Sequence, residues 1–285
     1  MAVDMTEGST LVDLLQLPFM QRALLGGLLS GALGGVLGSF AVLRQLSFFS
    51  DALGHSALLG ITLGILLGID PTLVLIPFAV LFALMTNQLV QRSRLPADAL
   101  LNIVYSSSLA MAVVALSLLR VYKGGIQQLL FGDILGVTWL DLTLIGVLLV
   151  ITTGYLTLTR RDQVLLTLDE PLARSRGVAV SVHRLLFLIL LAVVVAISVK
   201  AVGVLLISAF VVIPACASRL VSRRFDTYVA LAAALGAACA VLGLLLSAAF
   251  ALPSGPSVVI AQLVGFLTAL AVAPWRGLTG PGGQS

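Results

Sequence analysis

LLFLILLAVVVAISVKAVGVLLISAFVVIPACAS, residues 185–218, carries a single charged side chain, Lys200. A bilayer core takes about 20 apolar residues per crossing helix, so this stretch divides at Lys200 and Ala201 into two segments, 185–199 and 202–218. Both are short, and one of them is expected to be a partial or re-entrant segment. Outward from this point the pattern repeats. Apolar segments lie at 19–43, 52–69, 72–91, 98–119, 134–158, 228–250 and 257–273, separated by short polar punctuation. The expected fold is all-α, a polytopic transmembrane helix bundle with eight or nine spans. A polar N-terminal segment, 1–18, precedes one membrane domain over 19–276, and a glycine-rich, polar tail, 277–285, is expected to be flexible.

Composition agrees. Of 285 residues 60% are hydrophobic and 10% charged, and the mean hydropathy is +1.16, which leaves too little polar surface to cover a water-soluble globule. The net charge of +4 comes from basic residues scattered at segment ends, not gathered into a patch, so a nucleic-acid partner is not expected. Met1 to Pro18 holds Asp4, Glu7 and Asp13 but no lysine or arginine, unlike the basic start of a signal peptide, and the first apolar segment is expected to stay. Cys216 and Cys239 lie within apolar stretches and read as small packing residues.

Arg44, Arg92, Arg94, Arg160, Arg161, Arg174, Arg176, Arg184, Arg219, Arg223, Arg224 and Arg276 fall on one side of the expected topology. Arg22, Arg120, Lys123 and Lys200 fall on the other. The positive-inside rule puts the first set, and the C-terminus, in the cytoplasm. Nine spans would place the N-terminus outside and eight would place it inside. Gly27, Gly31 and Gly35, and again Gly60, Gly64 and Gly68, recur at the spacing that lets helices approach closely in lipid.

Asp51 and His55 stand four apart at the start of an apolar helix, on one face. Ionisable groups at membrane depth are costly and mark pathways or relays, and carboxylate with imidazole suits zinc or manganese. Two ligands make a weak site, whereas two copies of the helix at a two-fold axis would supply four. The residues alone equally allow Asp51 to cap the helix and His55 to bond within the bundle. Asp98, after Pro96, and Asp133 read as helix-end residues, and His183, beside Arg184, as a solvated histidine. Within 160–184, Asp169 can cap a short helix with Glu170 and Pro171 in its first turn, Arg174 and Arg176 later, and Gly177 as its stop. That helix is a handle for a cytoplasmic protein or an ordinary capped loop. No GxxxxGK[ST] phosphate loop occurs, so ATP chemistry would belong to a partner.

These residues resemble the permease subunits of zinc- and manganese-type ABC importers, relatives of the vitamin-B12 and iron-siderophore permeases. The resemblance covers 19 to 273. It rests on Gly38-Ser39-Phe40 with Leu43-Arg44, Ser50-Asp51-Ala52-Leu53-Gly54-His55-Ser56-Ala57-Leu58-Leu59-Gly60 and Leu130-Phe131-Gly132-Asp133-Ile134-Leu135. It continues through the Asp169 to Gly177 loop, Val202-Gly203-Val204-Leu205-Leu206-Ile207-Ser208, Ile213-Pro214-Ala215 with Arg219, and Pro253-Ser254-Gly255-Pro256-Ser257-Val258-Val259. It implies a type II ABC importer-like, homodimeric permease in a bacterial-type plasma (inner) membrane. The implied partners are a second copy, two cytoplasmic ATP-binding subunits and an extracytoplasmic metal-binding protein. No cofactor is expected on this chain, the transported ion is Zn2+ or Mn2+, and ATP binds the partner subunit.

By the same resemblance Asp51 and His55 match the family's pathway pair. Asp169, Glu170, Leu172, Ala173, Arg174 and Gly177 match its ATPase-coupling helix, within the cytoplasmic coupling loop 160–184. Gly54 stands where serine or alanine is usual before the histidine, and should loosen the helix by up to about 1 kcal/mol. Asp98-Ala99-Leu100-Leu101 is similar to the zinc-type segment, but Ser106 stands where that branch often has histidine. Pro253 to Pro256, and Leu58-Leu59-Gly60 without the manganese-type proline, favour zinc over manganese. The alternatives from other classes are a proton-coupled secondary metal carrier, disfavoured by sparse buried charge, and a non-transporting membrane anchor for a cytoplasmic complex.

Overall fold

In a computed structural model of the chain, residues 16–93, 95–118, 132, 134–204 and 206–273 are described. They form helices α1 (Pro18–Leu43), α2 (Ser47–Leu67), α3 (Pro71–Arg92), α4 (Ala97–Leu118), a short 3-10 turn (Ile134–Gly136), α5 (Trp139–Leu158), α6 (Arg160–Leu168) and α7 (Glu170–Ser175). Helices α8 (Val180–Val202), α9 (Ile207–Val221), α10 (Phe225–Phe250) and α11 (Ser254–Val272) complete the chain. A helix satisfies its own backbone hydrogen bonds, which is why apolar runs in lipid take this form. The glycine-rich tail and most of the polar N-terminal segment lie outside the described residues, as does Asp133.

Eight of the described helices are long and apolar enough to cross a membrane, and α9 is the short apolar one. The ambiguity at Lys200 resolves unevenly. The segment expected at 185–199 is part of a 23-residue helix that starts at Val180, because Lys200 stays helical and bonds at the bundle end. The chain breaks instead at Gly203, whose φ of 90° suits glycine, and α9 begins only at Ile207.

Polar contacts sort the helix ends into two faces. At one, Arg44 after α1 reaches Gln163 in α6, Arg160 pairs with Asp226 of α10 at 2.6 Å, and Glu170 of α7 pairs with Arg184 of α8. At the other, Lys200 near the end of α8 meets Asp141 in the first turn of α5 at 2.8 Å, where Thr138 and Asp141 form a capping box. α8 thus ends on the second face while α10 starts on the first. α9, 15 residues and about 22 Å long, carries the chain back between them. Among the described residues the chain thus runs between the two faces by eight helices long enough to cross a membrane and by the short α9, with α1 starting at the face opposite α7. The described arginines from Arg44 to Arg224 gather at the α7 end, so this end is cytoplasmic.

α1 and α8 are the innermost helices, whereas α4, α5 and α11 leave most of their apolar side chains exposed. The glycine spacing in α1 does what it suggests. A Cβ on Gly31 or Gly35 would overlap the Gly236 and Ala232 carbonyl groups of α10, and one on Gly34 would lie 2.7 Å from the Phe210 carbonyl oxygen of α9. In the second series Gly60 and Gly64 approach Phe78 and Pro71 of α3, while Gly68 ends α2 in a left-handed turn, φ 67°. Cys216 and Cys239 are free thiols.

Candidate functional site

α1 stops at Arg44, Gln45 turns the chain with φ 58°, and Leu46 is the N-cap of α2. Asp51 therefore lies in the second turn of α2 and does not cap it. One turn on, His55 Nδ1 lies 3.0 Å from the Asp51 backbone oxygen and 3.7 Å from Asp51 Oδ1. A carbonyl oxygen only accepts, so Nδ1 is the donor in this bond and Nε2 is left out of it. Metal-ligating histidines commonly donate their other N–H in this way.

The Asp51 and His55 side chains keep 32% and 18% of their surface open, while Ala52, Leu53, Gly54 and Ser56 are buried. The open strip continues onto α4, where Tyr105 sets its ring edge-on to His55 at 5.0 Å and Asn102, Ser106 and Ser107 are exposed. Among the described residues no group of three or more histidine, cysteine or acidic side chains could hold a metal. One chain brings two donors to this face.

Gly54 admits a neighbour. A Cβ there would lie 2.9 Å from Ile207 Cγ2 and 3.0 Å from the Val204 carbonyl oxygen, so α2 presses its backbone against the break between α8 and α9. Irregular backbone at membrane depth is tolerated where protein buries it, and Val204 is fully buried. The Asp51/His55 pair is thus level with the least regular part of the bundle.

The Asp169 to Gly177 segment folds by local chemistry. Asp169 accepts from the Leu172 amide at 3.0 Å as N-cap of α7, and Pro171 sits in the first turn. At the end, the Val178 amide bonds the Ala173 carbonyl at 3.1 Å and the Gly177 amide bonds Arg174, with Gly177 at φ 80°. Leu172 is exposed and the Arg174 side chain is 67% open, whereas Ala173 is buried and pins the helix to the bundle. Glu170 bridges Arg174 and Arg184.

Residues 160–184 are more ordered than a loop with one helix: α6 precedes α7, and α8 already starts at Val180. Gln163, Tyr155 and the role of Arg44 were not singled out by the sequence. Arg44 donates from Nε to Thr167 Oγ1 at 3.2 Å and from Nη2 to the Gln163 carbonyl at 3.3 Å and to its side chain, and its guanidinium covers the Phe187 ring at 4.6 Å. Burial lowers its pKa to about 10, which leaves it charged at neutral pH. His183 is only partly solvated, with 16% of its side chain open. Its Nδ1 lies 3.0 Å from the Tyr155 hydroxyl, which itself accepts from Gln163 Nε2 at 2.9 Å. Asp98 stands in the first turn of α4, as its position after Pro96 suggests. A cavity of about 430 Å3 at this end is lined by Arg44, Thr86, Asn87, Asp169, Glu170 and Arg184 among others.

The chain is 33% identical over 248 residues to the high-affinity zinc uptake system membrane protein ZnuB of Haemophilus influenzae, covering 87% of this chain and 95% of that one. It is 32% identical to the manganese import system permease protein ScaB of Streptococcus gordonii, covering 90% and 92%. Among solved structures, PsaBC from Streptococcus pneumoniae in complex with Fab superimposes with a TM-score of 0.83 at 27% identity, covering 94% of this chain and 97% of that one. With the ABC 3 transport family matching residues 16–273, this multi-pass bacterial membrane protein belongs to that family of ABC transporter permeases.

Proposed function

We propose that this chain forms half of the transmembrane pathway of an ATP-driven importer of a divalent transition metal, zinc ahead of manganese. The observation that carries it is the Asp51/His55 pair, with Nδ1 committed to a carbonyl, Nε2 left out of that bond, and both side chains partly open on one face. A second copy meeting that face would bring two carboxylates and two imidazoles together, a donor set that a tetrahedral zinc ion takes. The exposed Asn102, Ser106 and Ser107 on α4 support burial there, since polar groups at membrane depth favour helix contact over lipid.

In this reading an extracytoplasmic binding protein delivers the ion and two cytoplasmic ATP-binding subunits grip α7. Their closure then re-orients the two bundles. Two donors per chain hold the ion weakly enough to release it. This chain supplies no covalent step. Zinc and manganese measured by mass spectrometry in metal-limited cells lacking the gene, with and without a plasmid copy, test the reading. Restored zinc supports it, restored manganese alone corrects the substrate, and restoration of neither by expressed protein rejects import.

Arg174→Glu turns an exposed cation of α7 into an anion beside Glu170 without touching the buried Ala173. The purified complex is expected to hydrolyse ATP while metal transport in liposomes drops by about tenfold. Equal transport by both proteins would remove α7 from coupling.

A further inference from the structure

Gln163 is the one residue of α6 that is completely buried, and its amide is fully used. Nε2 donates to the Tyr155 hydroxyl at 2.9 Å and to Thr159 Oγ1 at 3.1 Å, and Oε1 accepts from Arg44. Arg44 holds the same helix at two further points, the Gln163 carbonyl and Thr167 Oγ1, and Thr167 Oγ1 itself donates to that carbonyl at 2.7 Å. No carboxylate lies within ion-pair distance of the Arg44 guanidinium among the described residues. Burying a charge on neutral acceptors is expensive, and apolar packing of similar volume would bind α6 to the bundle at less cost. What an arginine fork adds is direction: it fixes distance and register where an apolar contact can slide.

Both partners sit at junctions. α6 ends at Leu168, and Asp169 closes it while capping α7. Arg44 closes α1, and only Gln45 and Leu46 separate it from α2; the Leu46 amide is bonded to the Ala41 carbonyl at 2.8 Å. We infer that Arg44 and Gln163 form the joint through which displacement of α7 reaches α2, and so Asp51 and His55; this rests on the transport reading above. A push on α7 moves α6 as its direct continuation, α6 carries Arg44 by three hydrogen bonds, two to side chains and one to backbone, and the turn at Gln45 passes the motion to α2. The competing route, Glu170 to Arg184 and along α8, has both side chains partly open to solvent, where ion pairs hold weakly. Arg44 and Gln163 are positioning residues that never touch the ion.

The test uses the full permease and ATP-binding complex in liposomes, with zinc and manganese as probes. Gln163→Ala and Arg44→Met are expected to keep ATP hydrolysis within about twofold of wild type while ions moved per ATP fall by about tenfold, with Arg44→Lys between. Arg184→Ala is expected to change that ratio by less than about twofold. Parallel loss of hydrolysis and transport, or an unchanged ratio, overturns the joint. If Arg44→Met fails to assemble, Thr167→Ala, which removes one of the three Arg44 bonds together with the hydroxyl's own bond to the Gln163 carbonyl, gives the same reading at smaller amplitude. Spin labels at the exposed Leu66 and Ser175 separate the two proposals. Should the wild type hydrolyse ATP yet move neither metal, the transport reading fails, while the joint still stands if the ATP-driven change in label separation seen in wild type vanishes in Gln163→Ala. It falls if that change persists.

Discussion

His55→Ala abolishes metal uptake, by at least about tenfold, while leaving the protein in the membrane at its normal level. The ring makes one hydrogen bond, to the carbonyl of its own helix, and one edge contact with Tyr105. Its loss leaves no buried donor stranded, and a partly open side chain of this kind costs about 1 kcal/mol or less of stability. The functional loss is far larger. In a two-fold assembly one substitution removes two of four donors, and even indirect partners of metal ligands are worth 10–100-fold in affinity or activity. Asp51→Asn keeps shape and one acceptor oxygen but removes the charge that draws a dication from water, so it is expected to retain more uptake than His55→Ala and less than wild type. Cellular zinc and manganese in metal-limited cells carrying each variant provide the measurement, with protein level read from the same membranes. Uptake unchanged in His55→Ala at equal protein level would take the pair out of the pathway.

The pair was legible because a four-residue spacing fixes a shared helix face whatever the helix packs against. The bond from His55 Nδ1 to the Asp51 carbonyl was not, since that depends on where α2 begins. Neither glycine nor proline marks the α1 to α2 turn; Gln45 adopts the left-handed conformation there, held by the Leu46 to Ala41 bond. Capping chemistry is likewise local, which is why the whole of α7, from Asp169 to Gly177, could be read residue by residue. Gln163 hid for the opposite reason. A glutamine among Arg160, Arg161 and Asp162 reads as solvated, and only contacts from Tyr155 and from Arg44, 119 residues earlier, show it to be buried. The break at Gly203 was misplaced because Lys200, a charge in an apolar run, looked like a terminus. In the fold its ammonium finds Asp141 and the helix runs on for two more residues.

Gly35→Leu prevents the bundle from assembling. The spacing of Gly27, Gly31 and Gly35 announced a close helix contact but not its partner, which lies about 200 residues away in α10 and is reciprocal: a Cβ on Gly236 would overlap the Gly31 carbonyl oxygen just as one on Gly31 would overlap that of Gly236. At Gly35 the obstacle is the backbone of Ala232 and Ala233, which cannot rotate away as a side chain could. Overpacking a core that can relax costs about 1–3 kcal/mol. Here the two helices must part along their length, and in lipid no hydrophobic drive pulls them back, so the loss reaches or exceeds the top of that range. Gly154→Ala in α5, where an added Cβ meets nothing within 4 Å, is the matched control and is expected to behave as wild type. Size-exclusion profiles and thermal melting of detergent-extracted protein read the difference. A Gly35→Leu protein that elutes and melts like Gly154→Ala would mean that α1 and α10 separate at little cost, and that the interface does not hold the fold.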